Sequence, residues 1–310
     1  MTPEYLAIAR LLIEVAPAVF ESESFALKGG AAINLFLRDM PRLSVDLDLV
    51  VTDYQLSREE ALEIIRLGLM KAKESLDERD LLVQLVTTKG TGETKLLVRR
   101  GDQVVKVEVN TVIRGAVYPM RRMSLTEAAS DILMSDLELP LLSPEDIYGG
   151  KLVAAMDRQH PRDLFDVMEL FAHGGITPGI RRAFVVYLVS HNRPTHEVLF
   201  PVPKDIRLAF EDTFSGMTAS PVTLEQLLEA RERLFQELPA SLDENEREFL
   251  RSFTRGEPIW SLLDLPHLEQ LPAVRWKLQN LRKLAKTNRQ RFEKLEEALT
   301  EGLDRSASGI

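Results

Sequence analysis

The segment from Leu43 to Val51, Leu-Ser-Val-Asp-Leu-Asp-Leu-Val-Val, limits what this chain can fold into more than any other stretch. Its residues alternate with period two, so Ser44, Asp46 and Asp48 share one face of a predicted strand while Val45, Leu47 and Leu49 share the other. Side chains two apart on a strand are roughly 7 Å apart at the backbone, which lets two carboxylates converge on a hard cation that prefers oxygen ligands. Two acids on one polar face otherwise repel each other, and a divalent ion removes that repulsion. The same pattern also fits a strand with one wet face and no site.

Upstream, Phe25-Ala26-Leu27 reads as a short buried strand, Gly29-Gly30 as a tight turn and Ala31 to Leu37 as the start of an apolar helix. Glycines let backbone amides approach a phosphate, and a helix N-terminus adds partial positive charge. A plain strand-to-helix turn would look alike. A third carboxylate stands in Val104 to Asn110, where Val105, Val107 and Val109 face the core while Lys106, Glu108 and Asn110 face the other way. Glu108 is thus predicted either to meet Asp46 and Asp48 across a sheet or to pair with Lys106 or Arg99. The intervening Arg99-Arg100-Gly101-Asp102 reads as a hairpin turn.

A second block lies further along. Ser143-Pro144-Glu145-Asp146 carries a capping hydroxyl, a first-turn proline and two acids, which predicts a helix ending at Asp157 or Arg158. Lys151 and Arg158 fall seven apart on one face of it, suited to neutralising triphosphate charge. Pro161 starts the next helix, placing Asp163 and Asp166 on one side. An exposed ion-pair network among Lys151, Arg158, Arg162 and these aspartates is the alternative.

With Gly29-Gly30, Asn34, Arg42-x-Ser44-x-Asp46-x-Asp48 and Glu108 in order, the chain resembles the DNA polymerase beta-like nucleotidyltransferases. Lys151-x6-Arg158 with Arg162-Asp163-x-x-Asp166 resembles the signature of AbiEii/AbiGii toxins. The resemblance implies a bacterial toxin of a toxin–antitoxin or phage-defence pair that moves a nucleotide from an NTP to RNA, usually the 3′ acceptor end of tRNA. It implies two Mg²⁺ ions on Asp46, Asp48 and Glu108, with Lys151 and Asp163 also catalytic. Gly29, Gly30, Ser44, Arg158 and Asp166 would contact the nucleotide. One departure is that the superfamily more often has Gly-Ser after the first strand, so Ser44 is the candidate hydroxyl near the phosphates here. Two other readings stay open: adenylylation of a small molecule such as an aminoglycoside, and a vestigial nucleotide- or antitoxin-binding protein.

Composition narrows the rest. The 310 residues, 45% hydrophobic, suit two domains. No run approaches a membrane span, and the amphipathic Tyr5 to Val19 is no leader, so a cytoplasmic protein is expected. Cysteine is absent and the five histidines form no spaced ligand cluster, which excludes zinc–thiolate sites and thiol chemistry. Net charge is −9, but the acidity belongs mostly to the front half. Leu271 to Arg291 contains no acid and holds Arg275, Lys277, Arg282, Lys283, Lys286, Arg289 and Arg291. It reads as one basic helix with Val274, Leu278, Leu281 and Leu284 on its apolar side, suited to a polyanion, to an acidic partner, or to closing the domain in solvent. The fold expected is α+β: a mixed sheet flanked by helices over 1–174, then a mainly helical domain over 175–310. Helix is expected almost throughout from Ser124 onward, and fraying from Asp304 to Ile310.

Overall fold

The computed structural model describes residues 2–88, 93–265 and 267–308. They form two compact units, each built from two chain segments: residues 1–147 with 215–221, and residues 148–214 with 222–310. The division falls inside one helix.

The first unit is organised by a seven-stranded mixed sheet. Its strands are β1 (Phe25–Lys28), β2 (Asp46–Val51), β3 (Leu82–Thr87), β4 (Thr94–Arg100), β5 (Gln103–Asn110), β6 (Arg121–Ser124) and β7 (Glu138–Leu141), in the order β3-β4-β5-β2-β1-β7-β6. The β2–β5 and β1–β7 pairs are parallel; the others are antiparallel. Leu47, Leu49, Leu96, Val98, Val105 and Val107 are fully buried. Helices α1 (Pro3–Val19) and α3 (Arg58–Asp77) pack on the sheet. The start of α3 is fixed by a reciprocal cap in which Glu60 N–H donates to Ser57 Oγ and Ser57 N–H donates to Glu60 Oε2. Such a cap contributes about 1 kcal/mol. Between β1 and β2 run α2 (Gly29–Ala32) and a π-helical turn over Ile33–Leu37; α4 (Glu127–Leu133) lies between β6 and β7.

Three features depart from expectation. Regular strand begins at Asp46, not Leu43, because residues 41–44 are held instead by a returning segment: Leu43 N–H donates to the Met217 carbonyl (2.9 Å) and Ala219 N–H to the Pro41 carbonyl (2.8 Å). β7 breaks the helical run expected after Ser124. The tail expected to fray is helical through Ser308; residues 309–310 lie outside the described part.

Helix α5 (Pro144–Asp157) joins the units. At its start the buried Asp146 carboxylate accepts from Val117 N–H (2.8 Å), Tyr118 N–H (2.9 Å) and Ser143 Oγ (2.8 Å). The second unit continues with α6 (Pro161–Ala172), α7 (Pro178–Val189), α8 (Thr195–Leu199), α9 (Arg207–Thr213), α10 (Leu224–Ser241), α11 (Glu244–Thr254), α12 (Pro272–Thr287) and α13 (Arg289–Ser308). Here α6 packs on α10, and α11 on α7 and α13, around Leu164, Phe184, Leu234, Phe249, Phe253 and Leu303.

Candidate active site

Strand pairing assembles the acidic face within the first unit. Asp48 of β2 stands opposite Lys28 of β1 and opposite Glu108 of β5, while Glu108 stands opposite Lys95 of β4. Two carboxylates on adjacent strands are thus flanked by two ammonium groups. In the next row, Asp46 stands opposite Lys106. Asp46, Asp48 and Glu108 are half-buried, on the side of the sheet opposite the buried Leu47, Leu49 and Val107.

Glu108 is held by Lys95 and, at 3.0 Å, by Lys106. Burial pushes its carboxyl up, but the hydrogen bonds from the two lysines more than offset this and leave it below the usual carboxylate range. Among the described residues no three metal-ligating side chains converge. Asp46 and Asp48 nevertheless have the right donor chemistry for a hard cation: two carboxylates on one face of one strand, at its leading end.

The glycine turn is packed directly against this face. Gly29 has φ +73°, and a Cβ placed on it would lie 3.0 Å from the Asp48 Cβ. Only glycine both adopts this backbone conformation and leaves room for the Asp48 side chain. On Gly30 a Cβ would lie 2.9 Å from Arg42 Nη2 and 3.1 Å from Ser44 Oγ. Arg42 is buried and donates to the Leu43 carbonyl at 2.9 Å, and the buried Asn34 donates to the Gly30 carbonyl at 2.9 Å. Ser44 therefore does lie beside the turn. Arg42, quoted in the motif without a role, and Lys28 were the neighbours that sequence reasoning left out; the basic residue two before Ser44 was the available signal for the first.

The second block assembles within the second unit. Lys151 Nζ lies 2.7 Å from Asp163 Oδ1 and 2.9 Å from Asp166 Oδ2, and Arg158 Nε lies 2.5 Å from Asp163 Oδ2. The network is not an exposed one: Asp163, Asp166 and Lys151 are buried, while the Arg158 side chain is 64% exposed. Burial drives the Asp163 carboxyl up, but the Lys151 charge and the Arg158 hydrogen bond prevail and hold it far below the carboxylate range. His160 caps α6, its Nδ1 accepting from Arg162 N–H at 3.2 Å, and burial with the nearby Arg162 charge pushes it down to about 4. It is thereby kept neutral.

The basic segment is two helices, not one, divided at Asn288; Arg289 and Arg291 belong to α13. Arg275, Arg282, Lys283 and Lys286 are exposed on α12. Lys277 is not: it is buried, and its ammonium donates to the carbonyls of His191 (2.8 Å) and Arg193 (2.5 Å). Burial pushes it down to about 8. It tethers the chain after α7 and is removed from the set of surface cations.

A glycine turn set against paired carboxylates in a mixed sheet is the architecture of a nucleotidyltransferase core. A family model described as nucleotidyl transferase AbiEii toxin, type IV TA system, matches residues 10–280, and the chain belongs to that family. The protein is accordingly a nucleotidyltransferase toxin of a toxin–antitoxin system, with an antitoxin as its counterpart. The structure is similar to that of the nucleotidyltransferase toxin MenT4 from Mycobacterium tuberculosis H37Rv, with a TM-score of 0.57 at 18% identity over 91% of this chain and 99% of that one. At that identity the likeness speaks to the fold. No curated protein matches in sequence. No helix among the described residues is long and apolar enough to cross a membrane.

Proposed function

We propose that the protein transfers a nucleoside monophosphate from an NTP to an RNA acceptor in the cytoplasm, with the 3′ end of tRNA as the favoured acceptor and inhibition of translation as the result. The observation that carries this reading is the packing of Gly29 against Asp48, which sets a phosphate-accessible turn beside two carboxylates of one strand. Asp46 and Asp48 would hold Mg²⁺, one ion or two, which when bound neutralises triphosphate charge and favours in-line displacement. Gly29 and Gly30 admit the phosphates, with Ser44 beside them.

In the proposed step an acceptor hydroxyl forms a bond to the α-phosphorus as the bond to the bridging oxygen breaks, and pyrophosphate leaves. Glu108, opposite Asp48, helps to activate the hydroxyl by accepting its hydrogen bond, and the proton passes to solvent as the new bond forms. Arg158 is the member of the second block able to contact a phosphate, since its side chain is largely exposed. Asp166 holds Lys151, and Lys151 in turn holds Asp163, to which Arg158 is fastened.

Incubating purified protein with each labelled NTP and total bacterial RNA tests the proposal. Label should enter RNA with wild type and fall on the order of a hundredfold or more with Asp46→Asn, the scale of losing one stabilising group at a transferring centre. Full incorporation by that variant sinks the assignment. Transfer of label to an aminoglycoside and none to RNA would favour the small-molecule reading.

A further inference from the structure

Two recesses flank α12 within the second unit. The larger, about 820 Å³, is a groove lined by Arg275, Arg282, Lys283 and Lys286, with Glu269 as an acid at its edge. On a helix Arg275, Gln279, Arg282 and Lys286 form one stripe at i, i+4, i+7 and i+11, about 16 Å long. Arg282 is fixed in place by donating Nε–H to the Gly256 carbonyl at 2.9 Å. A fixed row of cations on a helix matches a polyanion in charge.

The smaller recess, about 390 Å³, lies along the adjacent stripe and differs in chemistry. Trp276, Asn280 and Leu284 supply one wall, and Asn192 and His196 supply polar groups opposite. Thr254 also lines it; its hydroxyl is buried and has no hydrogen-bond partner among the described residues. Trp276 is 55% exposed. The other tryptophan, Trp260, is half-buried, lines the larger groove and packs against Phe249 and Phe253 at ring-centre distances of 6.0 and 6.3 Å. An exposed indole beside a cationic groove, opening onto a pocket with amide and hydroxyl groups, suits a flat heteroaromatic ring attached to a phosphate chain. An acidic protein surface would use the cations alone.

We propose that α12 is the docking site for an unpaired stretch of RNA, its phosphates lying along the Arg275–Lys286 groove and one base stacked on Trp276 at the mouth of the smaller recess. The inference rests on the reading of RNA as acceptor and adds where, on the second unit, an unpaired nucleotide is gripped.

The test titrates the full-length wild-type protein and its Trp276→Phe variant with a mixed-sequence hexaribonucleotide and with an abasic hexamer of equal charge, the difference in quenching between the two proteins reading Trp276. The hexaribonucleotide should quench the indole emission, and the abasic chain should bind about tenfold more weakly. Trp276→Ala should weaken binding on the order of tenfold while Trp276→Phe keeps most of it. Replacing Arg282, Lys283 and Lys286 together by Ser should weaken both oligomers and lower the salt slope by about 2. Equal binding of the two oligomers, absence of quenching, or polyglutamate binding as tightly as RNA overturns the site, the last assigning the groove to an acidic partner. None of these readouts involves nucleotide transfer: a protein that labels RNA without quenching loses only the docking site, and one that quenches but labels no RNA loses only the proposed function.

Discussion

Gly29 and Lys151 are the two positions at which a single side chain tests the candidate site from opposite directions. At Gly29 the addition of one methyl group meets both a positive φ and the Asp48 side chain. Gly29→Ala should lose about 1–2 kcal/mol of stability, read as a shift in the urea midpoint, and should lose nucleotide transfer more severely because Asp48 must move. At Lys151 the removal of one charge takes away the ammonium that both buried aspartates touch, while Arg158 still holds Asp163. Lys151→Met should cost about 3–5 kcal/mol by urea denaturation, the range for breaking a buried pair on one side. A loss under 1 kcal/mol would mean that the aspartates are solvated in solution. Which residues would cluster was legible at this scale, since strand alternation and helix spacing fix side-chain direction. That Lys151 is buried and Arg158 exposed was not, because spacing along a helix says nothing of what packs over it. The pairing of Glu108 with Lys95 was hidden for a related reason: the partner lies on another strand, in a register set by the hairpin.

At the scale of elements, long patterned segments were readable and short or end-defined ones were not. The run from Gln103 to Asn110 alternates cleanly and is a strand over those same residues. β6 and β7 have four residues each, one opening on two arginines and the other containing Pro140, so neither offers alternation long enough to recognise. The divided basic segment is the more instructive case. No Gly or Pro marks the break, yet Asn288 leaves helical geometry, gives its N–H to the Leu284 carbonyl (2.8 Å) and accepts Arg291 N–H on Oδ1 (3.1 Å), ending one helix and capping the next. Asn288→Ala should remove that cap and lower stability by about 0.5–2 kcal/mol, seen as a lower melting temperature. A rise in helical circular dichroism with unchanged melting would show that the two helices tolerate fusion.

Across the whole molecule, a half-buried histidine and a buried lysine make stability rise with pH in two separate windows. His160 is held near 4, below its ordinary 6.5, so between these values the unfolded chain binds a proton that the native one refuses. Stability is full above about pH 6.5, declines as pH falls towards 4, and declines less in His160→Gln. Lys277 is held near 8, below 10.5, so stability rises as pH climbs through that interval. In Lys277→Met this alkaline rise should vanish from the urea midpoints; a rise of the same size would show that another group is responsible.

Residues 215–221 belong to the sheet-bearing unit although they follow α6 to α9 in the chain. On the ribosome, then, the nascent amino-terminal portion cannot finish folding when its own strands have emerged. The amide of Leu43, just ahead of the acidic strand, waits for the Met217 carbonyl to leave the exit tunnel. A truncated translation product ending before that point would lack the backbone bonds that tie residues 41–43, just ahead of Ser44 and the acidic strand, to Met217 and Ala219.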